Sequence, residues 1–360
     1  MTDGKRRRPT LDDVAALVGV SRATVSNAYN RPDQLSARLR EEVLRAARQL
    51  GYPGPNPTAR SLATRRAGAI AFMLDTGLSA AFSDPALSIT LDALASRVDP
   101  EGHALLLLPG GDDGGPRAER VLSAQVDLAV AYSLADGAPA LRAVRDRRLP
   151  LVVIDHPMVP GSARVGIDDR GGAAAAARHL VELGHRRFGI VSAQCLSTPR
   201  EGPLTVDEAL RSRFRDNRER LTGYLEVLAA AGVPAGSVPV WETSGLSREQ
   251  AMGAVRAVLD REPRPSALLC MSDELAVAAL TVARERGLAV PRDLSVVGFD
   301  DTPPVRWTEP PLTTVRQDLT RKGEIAGELA LRLLAGARPP RATTLDVELV
   351  VRESAGPAPS

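Results

Sequence analysis

Residues 9–66 read PTLDDVAALVGVSRATVSNAYNRPDQLSARLREEVLRAARQLGYPGPNPTARSLATRR, and the meaning of this stretch decides how the rest of the chain is read. Thr10 followed three residues later by Asp13 is a capping-box-like start: the hydroxyl can accept from an orphan backbone N–H and the carboxylate can reach back. A short helix with Val14, Ala15 and Val18 on one face follows. Gly19 ends it, since glycine reaches positive φ without a Cβ clash. Val20 is expected to fill the turn, and Ser21 to cap a second short helix running to about Tyr29. Two short helices joined by such a turn make a helix-turn-helix, whose second helix lies in the major groove with its N-terminal residues at the base edges. The positions expected to be exposed there are Arg22, Ala23, Ser26 and Asn27; arginine can bond guanine O6 and N7, asparagine adenine N6 and N7. A third helix over about 37–50 carries Leu39, Val43, Leu44 and Ala47 to close a small core, with Arg38, Arg40, Arg45 and Arg48 on its polar face.

A solvated helical cap without a ligand would show much the same periodicity, so charge has to separate the two readings. Residues 1–66 hold 13 Lys/Arg against 6 Asp/Glu, a net of +7, whereas the other 294 residues hold 33 against 38, a net of −5. The whole-chain +2 conceals this asymmetry, which is what phosphate binding by one end requires.

Three segments in order, TLDDVAALVGVSRATVSNAYN, SARLREEVLRAARQLGY and NPTARSLATRR, together resemble the headpiece of the LacI/GalR family of bacterial transcription regulators. The resemblance continues at lower density through the chain. It implies that NPTARSLATRR is a hinge helix, capped by Asn56 with Pro57 at its first position. It also implies that Leu62 is the wedge inserted between base pairs in the minor groove, with Ala59 the small residue below it. The set expected to face DNA is Thr10, Ser21, Arg22, Ala23, Thr24, Ser26, Asn27, Asn30, Asn56, Ala59, Arg60 and Leu62. A disordered basic arm (residues 1–9), a headpiece (10–55) and a hinge with linker (56–66) are expected to precede a core over 67–352, with a disordered tail over 353–360.

In that core, short apolar runs alternate with helical stretches. The strands expected are 68–74, 104–108, 127–132, 150–154, 188–192, 238–241, 267–271 and 294–299; helices are expected at 171–183, 217–231, 247–260, 273–286 and 321–335. This alternation predicts parallel sheets covered on both faces. The fold expected is an all-α helix-turn-helix headpiece plus an α/β core of two parallel-sheet subdomains, like type I periplasmic binding proteins. The first subdomain is expected over about 67–155 and 304–336, the second over about 168–300 and 342–352. Crossings between them are placed near 155–168, 299–304 and 336–342.

Ligands in open α/β sheets sit at the carboxyl ends of strands. Asp155, Ser272, Asp273 and Asp300 fall there, and Arg220 opens the helical phrase RLTGY. The resemblance matches Asp155, Arg220, Ser272 and Asp300 to positions that hold effector in sugar-responsive relatives. Carboxylate acceptors and a planar five-donor guanidinium can bracket a polyol. Asp75, Phe82 and Asp84 follow the first strand and can close the cleft from the other half. Two departures stand out: Ser272 replaces the family's usual amide, and Leu246 falls where relatives often place a stacking aromatic. Asp168, Asp169, Asp273 and Asp301 read better as caps or loop carboxylates, and His156 and His185 as surface or cap histidines. Segment 193–216 is longer than the family's usual connection by roughly a dozen residues, and is expected to reshape the pocket mouth or a dimer surface.

No phosphate loop, nucleophile elbow or HExxH zinc motif is present, and GGDDGG at 110–115 reads as a surface loop. Cys195 and Cys270 are too few and too separated for a disulfide framework or zinc site. No metal or cofactor is expected, no span of eighteen apolar residues and no secretory signal is seen, and a cytoplasmic location is expected. The partners expected are a pseudo-palindromic double-stranded DNA operator, a sugar or nucleoside effector and a second copy of the chain; no tetramerising heptad follows. The competing expectation is a small-molecule sensor of the same fold whose output is not DNA binding.

Overall fold

A computed structural model describes residues 9–54, 66–111, 114–196, 201–243 and 247–359. The hinge residues Asn56, Ala59, Arg60 and Leu62, the arm over 1–8 and Leu246 lie outside them. The chain divides into two compact units after Ala67.

In the first unit, α1 (Leu11–Val18) opens with the anticipated capping box between Thr10 and Asp13 and closes on Gly19 at φ 74°. Ser21 caps α2 (Arg22–Asn30), and Ser36 caps α3 (Ala37–Leu50), which ends on Gly51 at φ 70°. Val14, Val25 and Val43, all 0% exposed, form the centre of its core, with Val18, Val20, Leu35 and Tyr52 around them.

The second unit holds two sheets. The first has strand order β12-β5-β4-β3-β1-β2, formed by β1 (Ala69–Leu74), β2 (Ala104–Leu108), β3 (Leu128–Tyr132), β4 (Leu151–Ile154), β5 (Ala163–Ile167) and β12 (Thr343–Leu345). Helices α4 (Leu78–Ser83), α5 (Pro85–Val98), α6 (Ala118–Ser123), α7 (Pro139–Asp146) and α13 (Leu319–Leu334) belong to this half. The second sheet has order β13-β11-β10-β9-β6-β8-β7. Its strands are β6 (Phe188–Ser192), β7 (Gly202–Leu204), β8 (Val240–Glu242), β9 (Ala267–Cys270), β10 (Ser295–Asp300), β11 (Thr313–Gln317) and β13 (Val347–Val350). Its helices are α8 (Asp169–Glu182), α9 (Val206–Leu210), α10 (Arg215–Ala230), α11 (Arg248–Leu259) and α12 (Asp273–Glu285).

Several expectations need correction. β7 and β13 pair antiparallel at the two edges of the second sheet, so that sheet is mixed. β11 lies in the second half, and the chain crosses at Asp318 between β11 and α13, not at 299–304. The third crossing is at Asp346, because Thr343–Leu345 pairs with β5 while Val347–Val350 pairs with β11. The first crossing falls within the expected 155–168, after Ile167, but the first half extends past 155, since β5 still pairs with β4. Over its described residues, 353–359, the tail is ordered. Ser354, 0% exposed, donates to Val296 O and accepts from Thr313 N, and Ala358 N donates to Leu183 O. Within 110–115, read as a surface loop, Gly114 and Gly115 are buried among the described residues. A Cβ on Gly110 would stand 2.2 Å from the Asp75 carbonyl carbon, and one on Gly114 would stand 2.4 Å from Ala135 Cβ. Backbone close approach is why glycines stand there.

Both histidines are buried. His185, 0% exposed, has Nδ1 2.9 Å from Ser266 Oγ and Nε2 3.0 Å from both Ser295 Oγ and the Gly356 carbonyl. It pins the end of the chain to the second sheet. His156, 1% exposed, belongs to the cleft described next. Among the described residues, no helix is long and apolar enough to cross a membrane.

Candidate functional site

On the headpiece, Arg22 and Ala23 stand exposed in the first turn of α2. Ser26 and Asn27 are half-buried, and Asn27 Nδ2 donates to Gln34 Oε1 at 3.4 Å. Ser21 and Thr24 are partly engaged with each other: the Ser21 hydroxyl accepts from Thr24 N at 3.0 Å and lies 2.8 Å from Thr24 Oγ1. Thr10 is similarly committed to Asp13. Asn30 closes α2. Arg22 Nε lies 3.7 Å from Asp12, both side chains largely exposed. An ion pair this exposed is weak and leaves the guanidinium available to a stronger acceptor.

In the second unit, the ends of strands from both sheets converge on a cavity of about 190 Å³. From the first half come Asp75, Asp84, Leu87, Tyr132, Ser133 and Asp155; from the second come Gln194, Phe214, Asp216, Asn217, Arg220, Met271, Ser272, Asp300 and Gln317. A larger groove of about 690 Å³ on the outer face of α5 and α13 is open surface lined by Asp92, Arg97, Glu324 and Glu328. It lacks the convergence of buried polar groups that marks the cleft.

Asp155, Arg220, Ser272 and Asp300 are brought together at this cavity. Phe82 is not: it is 65% exposed on α4 and absent from the lining. Backbone strain gathers here as well. Ser133, Asp155, Asp300 and Asp301 follow or end strands at φ 48°, 61°, 122° and 55°, conformations that cost non-glycine residues about 1–3 kcal/mol each.

A buried polar relay runs along the floor. Gln317 Nε2 donates to Asp300 Oδ1 at 2.6 Å. Lys322, 1% exposed, donates to Gln317 Oε1 and, at 2.8 Å, to Asp155 Oδ2. Asp300 and Gln317 belong to the second sheet, whereas Lys322 and Asp155 belong to the first half, so the relay joins the two beside the crossing at Asp318. The other oxygen, Asp155 Oδ1, is buried and accepts no hydrogen bond among the described residues, which a ligand hydroxyl would remedy.

Arg220 is held on three sides. Nε donates to Asp169 at 2.8 Å, Nη1 donates to the Met271 carbonyl, and the guanidinium carbon stands 3.7 Å from the Phe299 ring centroid. Burial works against its charge, but Asp169, Asp300 and Asp216 overcome that and raise its pKa further. Burial lifts the Asp75 carboxyl to about 7 and moves Asp84 and Asp300 upward as well.

Of the four carboxylates read as caps or loop groups, Asp169 departs, being the buried partner that holds Arg220 at the cavity; the other three are engaged within the fold. Asp168 caps α8. Asp273 accepts from Thr302 N, Thr302 Oγ1 and Thr314 Oγ1. Asp301, its side chain 0% exposed, is paired with Arg316 and Arg352. Ser272 does two jobs, lining the cavity and capping α12 through Leu275 N.

Sequence reasoning passed over Tyr132, Phe214, Asp216, Asn217, Gln317 and Lys322. Tyr132 ends an expected strand, so the strand-end rule applied there would have found it; Gln317 ends a strand that has no apolar run to announce it. Lys322 had no local signal, because its burial depends on groups from both halves.

Residues 10–56 match the model of bacterial regulatory proteins of the lacI family, and residues 177–355 the periplasmic binding protein-like domain. An HTH-type transcriptional regulator of Mycobacterium tuberculosis is 42% identical over 369 residues, with 99% of each chain covered. Among solved structures, the transcriptional regulator CelR–cellobiose complex is 30% identical, covering 96% of this chain and 100% of that one, with a TM-score of 0.69. The lac repressor dimer bound to operator and the anti-inducer ONPF is 26% identical, covering 97% and 99%, with a TM-score of 0.77. A capped helix-turn-helix followed by a two-sheet core, matched along nearly its whole length to such regulators, gives the conclusion: the chain belongs to the LacI family and is a DNA-binding transcription regulator.

Proposed function

We propose that this regulator is a cytoplasmic repressor that acts as a homodimer on a near-palindromic operator and answers to a sugar or nucleoside bound in the core cleft. The observation that carries the effector half is the cavity itself, where strand ends of both sheets bring carboxyl groups and one pre-positioned guanidinium around a space of about 190 Å³. Asp75, Asp84, Asp155, Asp216 and Asp300 face one arginine there. That balance disfavours a phosphate or carboxylate ligand and suits an uncharged polyol, whose hydroxyls both donate and accept. The repressor and dimer readings are supported by the lac repressor dimer on its operator, and the sugar reading by the cellobiose complex of CelR.

In this reading residues 10–55 are the headpiece, 56–66 the hinge, and Asp155, Arg220, Ser272 and Asp300 the principal effector contacts. Effector binding changes the angle between the core halves and with it DNA affinity. Linkage then requires DNA to change effector affinity by the same factor. The deciding experiment is fluorescence anisotropy of the full-length protein on its own upstream DNA at two salt concentrations. A panel of sugars, nucleosides and one sugar phosphate is then added. Tight, salt-sensitive binding released by one uncharged compound is expected; release by the phosphate ester alone would remove the polyol reading.

Two substitutions separate the DNA contacts. Arg22→Ala should relax base preference at one operator position by about 1–3 kcal/mol; an unchanged preference profile would leave Arg22 as a phosphate contact only. Leu62→Ala should weaken specific operator binding and leave effector affinity unchanged, measured by anisotropy and calorimetry. Equal operator affinity in the variant would end the wedge assignment.

A further inference from the structure

The segment that leads from the insertion into α10 does more than line the cavity. The Asp136 amide donates to the Arg213 carbonyl at 2.8 Å. In return, Arg213 Nε and Nη2 donate to the Asp136 carbonyl at 3.2 and 3.1 Å. Arg218 Nη2 adds an ion pair to the Asp136 carboxylate at 3.1 Å. Between these residues Phe214, 6% exposed, meets the His156 ring edge-on at 6.4 Å, and Asp216 lies 3.0 Å from His156 Nε2. A Cβ on Gly114 would be 3.4 Å from Phe214 Cζ.

Asp136, Gly114 and His156 sit on loops of the first half; Arg213 through Arg218 belong to the second. Six consecutive residues therefore bond to two separate loops, at Asp136 and His156, and Phe214 closes against a third at Gly114, where a side chain would crowd it.

We propose that residues 213–218 form a strap that holds the effector cleft closed, and that Arg213, Arg218 and Asp136 are positioning residues for the site. None of those three lines the cavity, whereas Phe214, Asp216 and Asn217, carried on the same strap, do. The strap thus fixes where one wall stands without touching what the wall binds. Reciprocal bonds at a single residue are what make it specific. The amide and the carbonyl of Asp136 are both used, so the loop is fixed in orientation as well as in distance. Phe214 is buried at the centre of the strap, while the Asp136 bonds on either side of it are part-buried. Effector exchange then requires the strap to let go.

The test needs no effector, so its outcome is independent of the function proposed above. Amide hydrogen exchange of the full-length protein, with fragmentation that resolves the Asp136 amide, compares wild type with the Arg213→Ala/Arg218→Ala double variant. The Asp136 amide is expected to exchange at least tenfold faster in the variant, while amides of Leu128–Tyr132 in the neighbouring strand keep their protection. Arg213→Lys, which retains a cation able to donate to the Asp136 carbonyl, should restore most of the protection. Undiminished protection of Asp136 in the double variant would overturn the strap. So would an equal rise across Leu128–Tyr132, because that would mean general loosening rather than local release.

Discussion

Replacing Arg220 by methionine should abolish the effector response, leave operator binding in place, and destabilise the core by about 3–5 kcal/mol. The two effects have different origins. Arg220 and Asp169 are a buried pair, with side chains 9% and 12% exposed at 2.8 Å. Removing the cation strands a carboxylate whose pKa burial already raises and only Arg220, foremost among its neighbours, pulls down. The sign follows: the stranded Asp169 gains stability by protonating, so the deficit of the variant should shrink as pH falls and grow as pH rises. Thermal melts at pH 5 and pH 8 would show it. Asp169→Asn in the same chain should recover most of the lost stability, because no charge is then left unpaired. It should not recover the effector response, since the guanidinium edge that faces the cavity is still missing. A double variant that regains both stability and response would assign Arg220 a purely structural role and move effector recognition to the carboxylates.

The parts of this molecule that were legible in the sequence are those whose causes are local. The Thr10–Asp13 box, Gly19, Ser21, and Leu39, Val43 and Ala47 of α3 each specify their own few residues, and they fold as read; Leu44, expected in the same core, stays half-buried outside it, and Ala46 is buried there instead. Strand ends were legible for a related reason: an apolar run such as PLVVI can only stop where polar groups begin, and Asp155 and Asp300 follow from that. What was not legible depends on pairing across the chain. ARVGI carries Arg164 and Gly166 inside a strand, TTVRQ is half polar, and neither has a continuous apolar run to announce it. Both form because neighbours already in the sheet supply the ladder. The crossing at Asp346 is fixed by two competing edges, one in each half, and no window of sequence contains both. His185 reads as a helix terminus until Ser266, Ser295 and Gly356, far apart in sequence, close around it. The same is true of the buried tail. Phe82 fails in the opposite direction: a large apolar residue in a cleft-side loop invites a closing role, yet the short helix Leu78–Ser83 turns it outward.

His156 and Asp216 give the cleft a pH dependence whose direction can be worked out. His156 follows β4 in the first half and Asp216 opens α10 in the second, so the pair spans the two. Their atoms approach to 3.0 Å, too poorly aligned for a straight hydrogen bond from Nε2, so Coulomb attraction carries the contact. Burial alone would lower the imidazole, but Asp216 and, further off, Asp155 raise it to about 9 from an ordinary 6.5. Burial likewise works against the Asp216 carboxylate, and His156 outweighs it, holding the acid well below the usual carboxylate range. The stabilisation from His156 is therefore complete below about pH 6.5 and is lost as pH rises through about 9. That from Asp216 is present above about pH 4 and lost only as pH falls through its depressed value. The two shifts describe one interaction and are not added. Together they place its full strength between about pH 4 and 6.5, at about 2–3 kcal/mol. Asp216→Asn removes the attraction while keeping a side chain of the same shape. Its thermal stability should trail wild type by that amount at pH 6, and the gap should narrow to less than about 1 kcal/mol by pH 9.5. A gap of constant size across that range would mean that shape and hydrogen bonding, rather than charge, join the two halves at this point.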